Sequence, residues 1–578
     1  MSTRGYWSLS RLLMILFGAL LLVAAARLIW IQVVVGGSLR QEAEDARVMP
    51  RSTPAQRGGI YDRDGVALAL SSTVYDVIAD PANLYQKGRA SQMLADVLEG
   101  SVDFYYSELI KPTHYAVLAR RITQAQRDML VEYIDDLPST TSQQREFKIQ
   151  MQNFIVFELN YERYYPADTL AAQTIGWVRT DNGEGQAGVE RYYDIILRGK
   201  PGSSTSERDV FGNLIPSGVQ KELPAQSGQP IILTLDYHIQ GYADKELEAA
   251  VIERGAKAGA VIVMDVKTGE LLAVSSYPTF NLNEYGKAQD EQFRNRALIE
   301  MFEPGSTLKP VTAAAALESG HVTTETTFEV PPSMKIGIEV VNDHEPHGTW
   351  PSANLTYILQ HSSNVGTSKV AFAMGREALY RQYEAVGFTA TPSTDFPALG
   401  PAIIAKPSSW VDIELSNHSF GQGVALSPLM LTRAIASIAN GGTLVTPHLL
   451  KDTPGNPDLI AEWPTSQAMT PETAQEVTVM MENVMLNGTG STIKLEGYRV
   501  AGKTGTAQKA VYGQGYDTDA YVGSFVGFFP AENPRVVVFV MLDEPAGEYF
   551  GSRIAGPLFT SIATFTAEHL KIPPSTFE

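Results

Sequence analysis

"EPGSTLKP", residues 303–310, sets Ser306 three positions ahead of Lys309, and the alanine-rich run that follows (Val311–Leu317) reads as helix. One helical turn puts the two side chains on the same face. They are then either a nucleophile and its base or a capping serine beside a surface lysine. The pair alone does not decide, because so loose a pattern arises by chance in many chains of this length.

Two further stretches decide it. "HSSNVGTSK" (361–369) contains Ser362-Ser363-Asn364, and "AGKTGTAQK" (501–509) contains Lys503-Thr504-Gly505-Thr506 behind a strand-like "YRV". S-x-x-K, S-x-N and K-T-G thus follow in order, 56 residues from Ser306 to Ser362 and 139 from Asn364 to Lys503. That order is the signature of the serine β-lactamases and penicillin-binding proteins.

The chemistry accounts for the residue types. A serine hydroxyl is a poor nucleophile near neutral pH and needs a base within hydrogen-bond reach. Lys309 serves only if burial or a second cation lowers its pKa, and Lys503 is the second cation at hand. Ser362 is suited to relaying a proton to a leaving amine, and Asn364 to holding a substrate amide. Thr504, Gly505 and Thr506, with Lys503, read as the seat of a substrate carboxylate. Free N–H groups at the helix start, with that of Thr506, suit an oxyanion. The expected reaction is acyl transfer through a serine ester, with no cofactor and no metal. "NDHEPHGTW" (342–350) brings Asp343, His344 and His347 close together, and is read as a polar loop rather than a metal site.

With 578 residues, 44% of them hydrophobic, the chain is long enough for more than one domain. A formal charge of −19 argues against nucleic-acid partners. The absence of cysteine excludes disulfides and thiolate chemistry. "RLLMILFGALLLVAAARLIWIQVVV" (11–35) is apolar apart from Arg11, Arg27 and Gln32. As a helix, 12–35 spans roughly 36 Å, enough for a bilayer of about 30 Å. Arg4 and Arg11 precede it with no acid, which keeps the N-terminus inside. Ala24–Ala26 offers a signal-peptide cleavage site as the rival reading, and an uncleaved anchor is expected.

The expected order is a cytoplasmic 1–11, an anchor at 12–35, a polar helix over 36–50 opening a domain at 36–225, and a catalytic domain at 226–578. The boundary is drawn at the Pro- and Gly-rich 215–230. Residues 86–150 carry helical patterns, 154–178 reads as strand then short helix, and 231–255 as strand then long helix. A β-hairpin over 258–278 turns at Lys267-Thr268-Gly269, and two strands over 521–545 precede a closing helix. This is an α+β layer, an antiparallel sheet flanked by helices.

"RGGIYDRDGVALA" (57–69), "RYYPADTLAAQTIGWV" (163–178), "GVERYYDIILRGKPG" (188–202) and "SFGQGVALSPLMLTRAIASIANGG" (419–442) extend the pattern. With them the chain resembles the monofunctional (class B) penicillin-binding proteins over nearly its whole length. The resemblance implies a β-rich, dimerisation-type pedestal beside the penicillin-recognising serine transpeptidase fold. It also implies peptidoglycan D,D-transpeptidation: an acyl-enzyme forms from a D-Ala-D-Ala stem peptide and passes to an amine on a neighbouring stem, and β-lactams trap the serine.

"SSTVYDVIADPANLY" (71–85) looks closer to the septal (FtsI-type) branch than to the elongation branch. That implies an FtsW-type glycosyltransferase and other division proteins as partners, at the septum of the inner membrane. Rival readings are an elongation-type enzyme, a D,D-carboxypeptidase, a β-lactam sensor and a β-lactamase. The last calls for a glutamate in E-x-x-L-N, and "IELSNHS" (413–419) holds Glu414 and Asn417 at the wrong spacing.

Overall fold

The computed structural model describes residues 4–35, 37, 48–207, 220–391, 394–396, 401–456, 462–511 and 515–576. Most of the polar helix expected over 36–50, and 215–219 of the boundary segment, lie outside these. The chain forms two compact units. The first holds Met1–Gln56, Thr73–Tyr161 and Gly199–Ser227; the second holds Arg57–Ser72, Glu162–Arg198 and Gly228–Glu578.

In the first unit an α-helix, Arg4–Ile29, continues as a π-helical segment, Trp30–Val35. Among the described residues, Arg11–Val35 is the one helix long and apolar enough to cross a membrane. Val48–Thr53, Gly202–Glu207 and Gln220–Leu223 pair into a three-stranded antiparallel sheet. A separate core gathers Leu94, Tyr105, Leu118, Leu130, Phe147 and Met151. Two of its helices, Gln124–Asp135 and Ser142–Phe154, begin in capping boxes, Thr123 with Gln126 and Thr141 with Gln144.

The region read as helical, 86–150, also contains a strand, Ala116–Thr123. Ala116, Leu118 and Ile122 point inward. Arg120 is exposed where the next inward residue belongs, and Arg121 has a left-handed backbone (φ 55°). The interruption hides the period of two on which strand recognition relies.

The second unit is built on the predicted sheet. Its main elements are α1 (Tyr237–Arg254), β1 (Ala258–Asp265), β2 (Leu271–Tyr277), α2 (Lys309–Glu318), α3 (Asn364–Met374), α4 (Pro428–Ala439), α5 (Pro471–Asn487), β3 (Ala501–Val511), β4 (Gly515–Phe529), β5 (Val536–Asp543) and α6 (Gly551–His569). The strands run antiparallel in the order β2-β1-β5-β4-β3. Asp236 starts α1 by accepting the N–H groups of His238 and Ile239, and Gly255 ends it in the left-handed region.

On one face α1 and α6 bury Leu247, Phe559 and Ile562 with Val261, Val263, Phe525 and Val540. On the other, α2, α4 and α5 bury Val311, Ile435 and Met481 with Ile262, Met264, Val537 and Phe539. Burial on both faces explains why β5 reads as an unbroken apolar run rather than an alternation. Each such side chain contributes about 1.5–3 kcal/mol. The alanines of α2 let that helix lie buried from Lys309 to Ala316.

Candidate active site

Ser306 stands on a 3₁₀ turn, Gly305–Leu308, that runs directly into α2. Gly305 (φ 54°) donates its N–H to Gly421 O at 3.0 Å. A Cβ on Gly421 (φ 85°) would lie 2.2 Å from Gly305 O, so the two glycines interlock under the serine. From the opposite side β3 closes in at Gly505, where a Cβ would lie 2.8 Å from Thr307 Cγ2.

Ser362 has a positive φ of 54°, a conformation rare for serine. Asp343 holds the turn in that shape. Its Oδ1 accepts the N–H groups of Asn364 at 2.6 Å and Val365 at 2.9 Å. Its Oδ2 accepts the Ser363 hydroxyl at 2.6 Å and lies 2.9 Å from His347 Nε2. Ser363 Oγ in turn accepts Gly366 N–H at 2.8 Å and caps α3. Left-handed backbone costs a side-chain-bearing residue about 1–2 kcal/mol, which these charge-assisted bonds offset.

Lys309 and Lys503 are 1% and 0% exposed. Lys309 Nζ donates to Ser362 O at 2.5 Å, Asn364 Oδ1 at 2.8 Å and Ser362 Oγ at 3.4 Å. Lys503 Nζ donates to Ser362 Oγ at 2.9 Å and Thr504 O at 3.1 Å. The Ser362 hydroxyl therefore lies between two amines. Burial pushes Lys309 down to about 7, against the opposing pull of Asp343. Burial first, and the charge of Lys309 second, hold Lys503 well below the usual lysine range. An amine that is neutral near pH 7 can accept a proton. Its hydrogen bonds go to the S-x-N turn, and none goes to Ser306.

A cavity of about 170 Å³ opens over this arrangement, lined by Ser306, Ser362, Asn364, Thr504 and Thr506 among others. Thr504 Oγ1 lies 3.0 Å from Thr489 Oγ1, and Thr506 Oγ1 accepts Gly551 N–H at 3.1 Å. Of the eight residues singled out in the sequence, these five face the cavity. The two lysines lie buried and reach Ser362, and Gly505 faces the serine turn instead. Glu414 does not line the cavity; its carboxylate accepts Val411 N–H at 2.9 Å at a helix start.

Sequence reasoning missed Asp343, Thr489, Gly421 and Phe550. Asp343 had a faint signal, a histidine four residues on in a loop. Gly421 lay in the quoted 419–442 stretch without being singled out, and Thr489 and Phe550 had no signal, because their partners lie far away in the chain.

Residues 259–564 match the family described as penicillin binding protein transpeptidase domain, and residues 52–233 the penicillin-binding protein dimerisation domain. The chain is 34% identical to the probable peptidoglycan D,D-transpeptidase PenA of Neisseria gonorrhoeae, over 95% of this chain and 90% of that protein. It is 30% identical to the peptidoglycan D,D-transpeptidase FtsI of Escherichia coli K12, over 97% and 92%. Among solved structures it is similar to penicillin binding protein 3 of Mycobacterium tuberculosis complexed with aztreonam. There the TM-score is 0.69 and the identity 27%, over 91% of this chain and 98% of that one. With both domain families matched in order and similarity running nearly end to end, the chain belongs to the class B penicillin-binding proteins and is a peptidoglycan D,D-transpeptidase.

Proposed function

We propose that the chain cross-links stem peptides through a Ser306 acyl-enzyme, and does so in septal wall synthesis. Neutral Lys309 takes the Ser306 proton, by way of Ser362 where its own bonds lead, as Oγ attacks the penultimate D-Ala carbonyl. The N–H groups of Ser306 and Thr506 receive the oxyanion. Asn364 holds the donor amide, while Thr504, Thr506 and Lys503 seat the terminal carboxylate, with Gly505 letting β3 approach. Ser362 returns the proton to the nitrogen of departing D-Ala as the C–N bond breaks. An acceptor amine then attacks the ester, and Ser306 recovers its proton.

The observation that carries this reading is the pair of buried lysines on one hydroxyl, Lys309 at about 7. Inhibition by β-lactams is supported by the aztreonam complex of the mycobacterial relative. The septal assignment rests on the similarity to FtsI and on the 71–85 segment. It brings with it an FtsW-type glycosyltransferase and other division proteins as partners. The anchor at 12–35 then crosses the inner membrane once, N-terminus inside, with the pedestal (36–225) and the transpeptidase domain (226–578) outside. The basic residues ahead of the apolar run support that orientation.

Intact-mass spectrometry of the full chain in detergent, incubated with a penicillin, tests the chemistry. A lasting adduct of one drug mass on the native chain, absent from Ser306→Ala, is the expected result. Rapid drug turnover without an adduct would make the chain a β-lactamase, and an adduct on Ser306→Ala would remove Ser306 from its role.

A further inference from the structure

The cavity is electrically lopsided. Along the K-T-G-T wall it offers hydroxyls and a nearby lysine, a surface for an anion. His344, Glu345 and His361 line the same cavity, and Glu345 is the one carboxylate among its lining residues. No described residue forms an ion pair with it. It lines the same cavity as Ser306, and its charge is felt by His361, whose pKa is lowered chiefly by burial and raised against that by Glu345.

Although exposed, Glu345 is not on a loose loop. Two residues before it, Asp343 is tied into the S-x-N turn. Two residues after it, His347 stacks on Trp350 with ring centroids 3.9 Å apart and an interplanar angle of 15°. Asp343 and His347 also meet at 2.9 Å, which closes the turn on itself with Glu345 at its centre. Next to it, the His344 ring packs edge-on to Phe550 at 5.2 Å, on the far side of the cavity mouth. Its position relative to Ser306 is therefore fixed by the same carboxylate that shapes Ser362.

A donor carboxylate is repelled by Glu345 and drawn to Thr504, Thr506 and Lys503. The remaining reactant is the acceptor, whose amine arrives from water as an ammonium ion. Resting on the transpeptidase reading above, we infer that Glu345 receives the acceptor's ammonium group and thereby selects a cationic amine over water as the second substrate. The ammonium first releases one proton to water, and the resulting amine gives up a second to neutral Lys309 through Ser362 as it attacks. Its nitrogen then bonds to the acyl carbon, the ester C–O bond breaks, and the proton returns to Ser306 Oγ. Glu345 takes no proton; it is a specificity residue.

The test loads the full-length enzyme with an N-acyl-D-alanyl thioester and then lets the acyl group partition between water, a lysine-containing tripeptide and methanol. The partition ratio is read after acylation, so it does not depend on how fast the acyl-enzyme forms. Glu345→Gln should lower transfer to the tripeptide relative to hydrolysis by about fivefold, the size of a partly screened ion pair. Glu345→Lys should lower it further and Glu345→Asp largely restore it, and added salt should shrink every difference. Transfer to methanol, which has no charge, should not follow the series. An unchanged tripeptide-to-water ratio in Glu345→Gln, or an equal fall for methanol, overturns the inference. Failure of the native enzyme to form the acyl-enzyme overturns the transpeptidase chemistry itself, a separate outcome.

Discussion

Asp343 has two effects at once: it binds the S-x-N turn, and its charge raises the pKa of Lys309 against the effect of burial. Acylation that needs neutral Lys309 rises with pH through a midpoint near 7 and levels off above it. Asp343→Asn should move that midpoint to lower pH, since the charge favouring protonated lysine is gone. It should also lower the plateau by roughly tenfold, as N–H groups of the turn lose their charged acceptor, a loss on the order of 1–3 kcal/mol. Second-order acylation rates with a chromogenic β-lactam, followed from acid to alkaline pH, give both numbers. A midpoint that stays or rises contradicts the electrostatic account. Ser306, Lys309, Ser362, Asn364 and Lys503 were legible in the sequence because the chemistry demands those residue types in that order. Asp343 was not, since its carboxylate acquires meaning only once the loop folds onto the start of α3.

At the level of elements, the nucleophile turn is held by contact with segments remote in sequence. Gly421→Ala puts a methyl group against Gly305 O, and should slow acylation by at least about tenfold while costing roughly 2 kcal/mol of stability. Gly441→Ala is the control. Its φ of 60° is equally unfavourable for alanine, but a Cβ there meets nothing within 4 Å. It should destabilise less, by the backbone conformation alone, without slowing acylation. Thermal melts beside acylation rates separate the two, and equal slowing in both variants would dismiss the interlock. The elements of the second unit were readable in advance: the 258–278 hairpin, the long helix before it, the two late strands and the closing helix. Each has a cap, a turn glycine or an uninterrupted apolar run. Ala116–Thr123 was not, because one exposed arginine and one left-handed residue disturb its alternation.

For the whole molecule, sequence order gave the architecture but not its compact units. The second unit draws in 57–72 and 162–198, stretches that precede the catalytic segment and join it only through contacts made after folding. The septal proposal is tested at this scale as well. A fluorescently tagged full chain should concentrate at midcell in dividing cells, and uniform labelling of the side wall would assign it to elongation instead. The buried lysines have one more consequence. An ordinary lysine titrates at 10.5, so holding Lys309 at about 7 costs on the order of 4 kcal/mol at neutral pH. That penalty is full below pH 7 and fades only as the pH nears 10.5, and Lys503 adds to it. The most reactive spot in the molecule is thus also a point of frustration in its fold. An inert chain with an apolar residue in place of Lys309 would be the sturdier protein, and only selection for turnover maintains the frailer one.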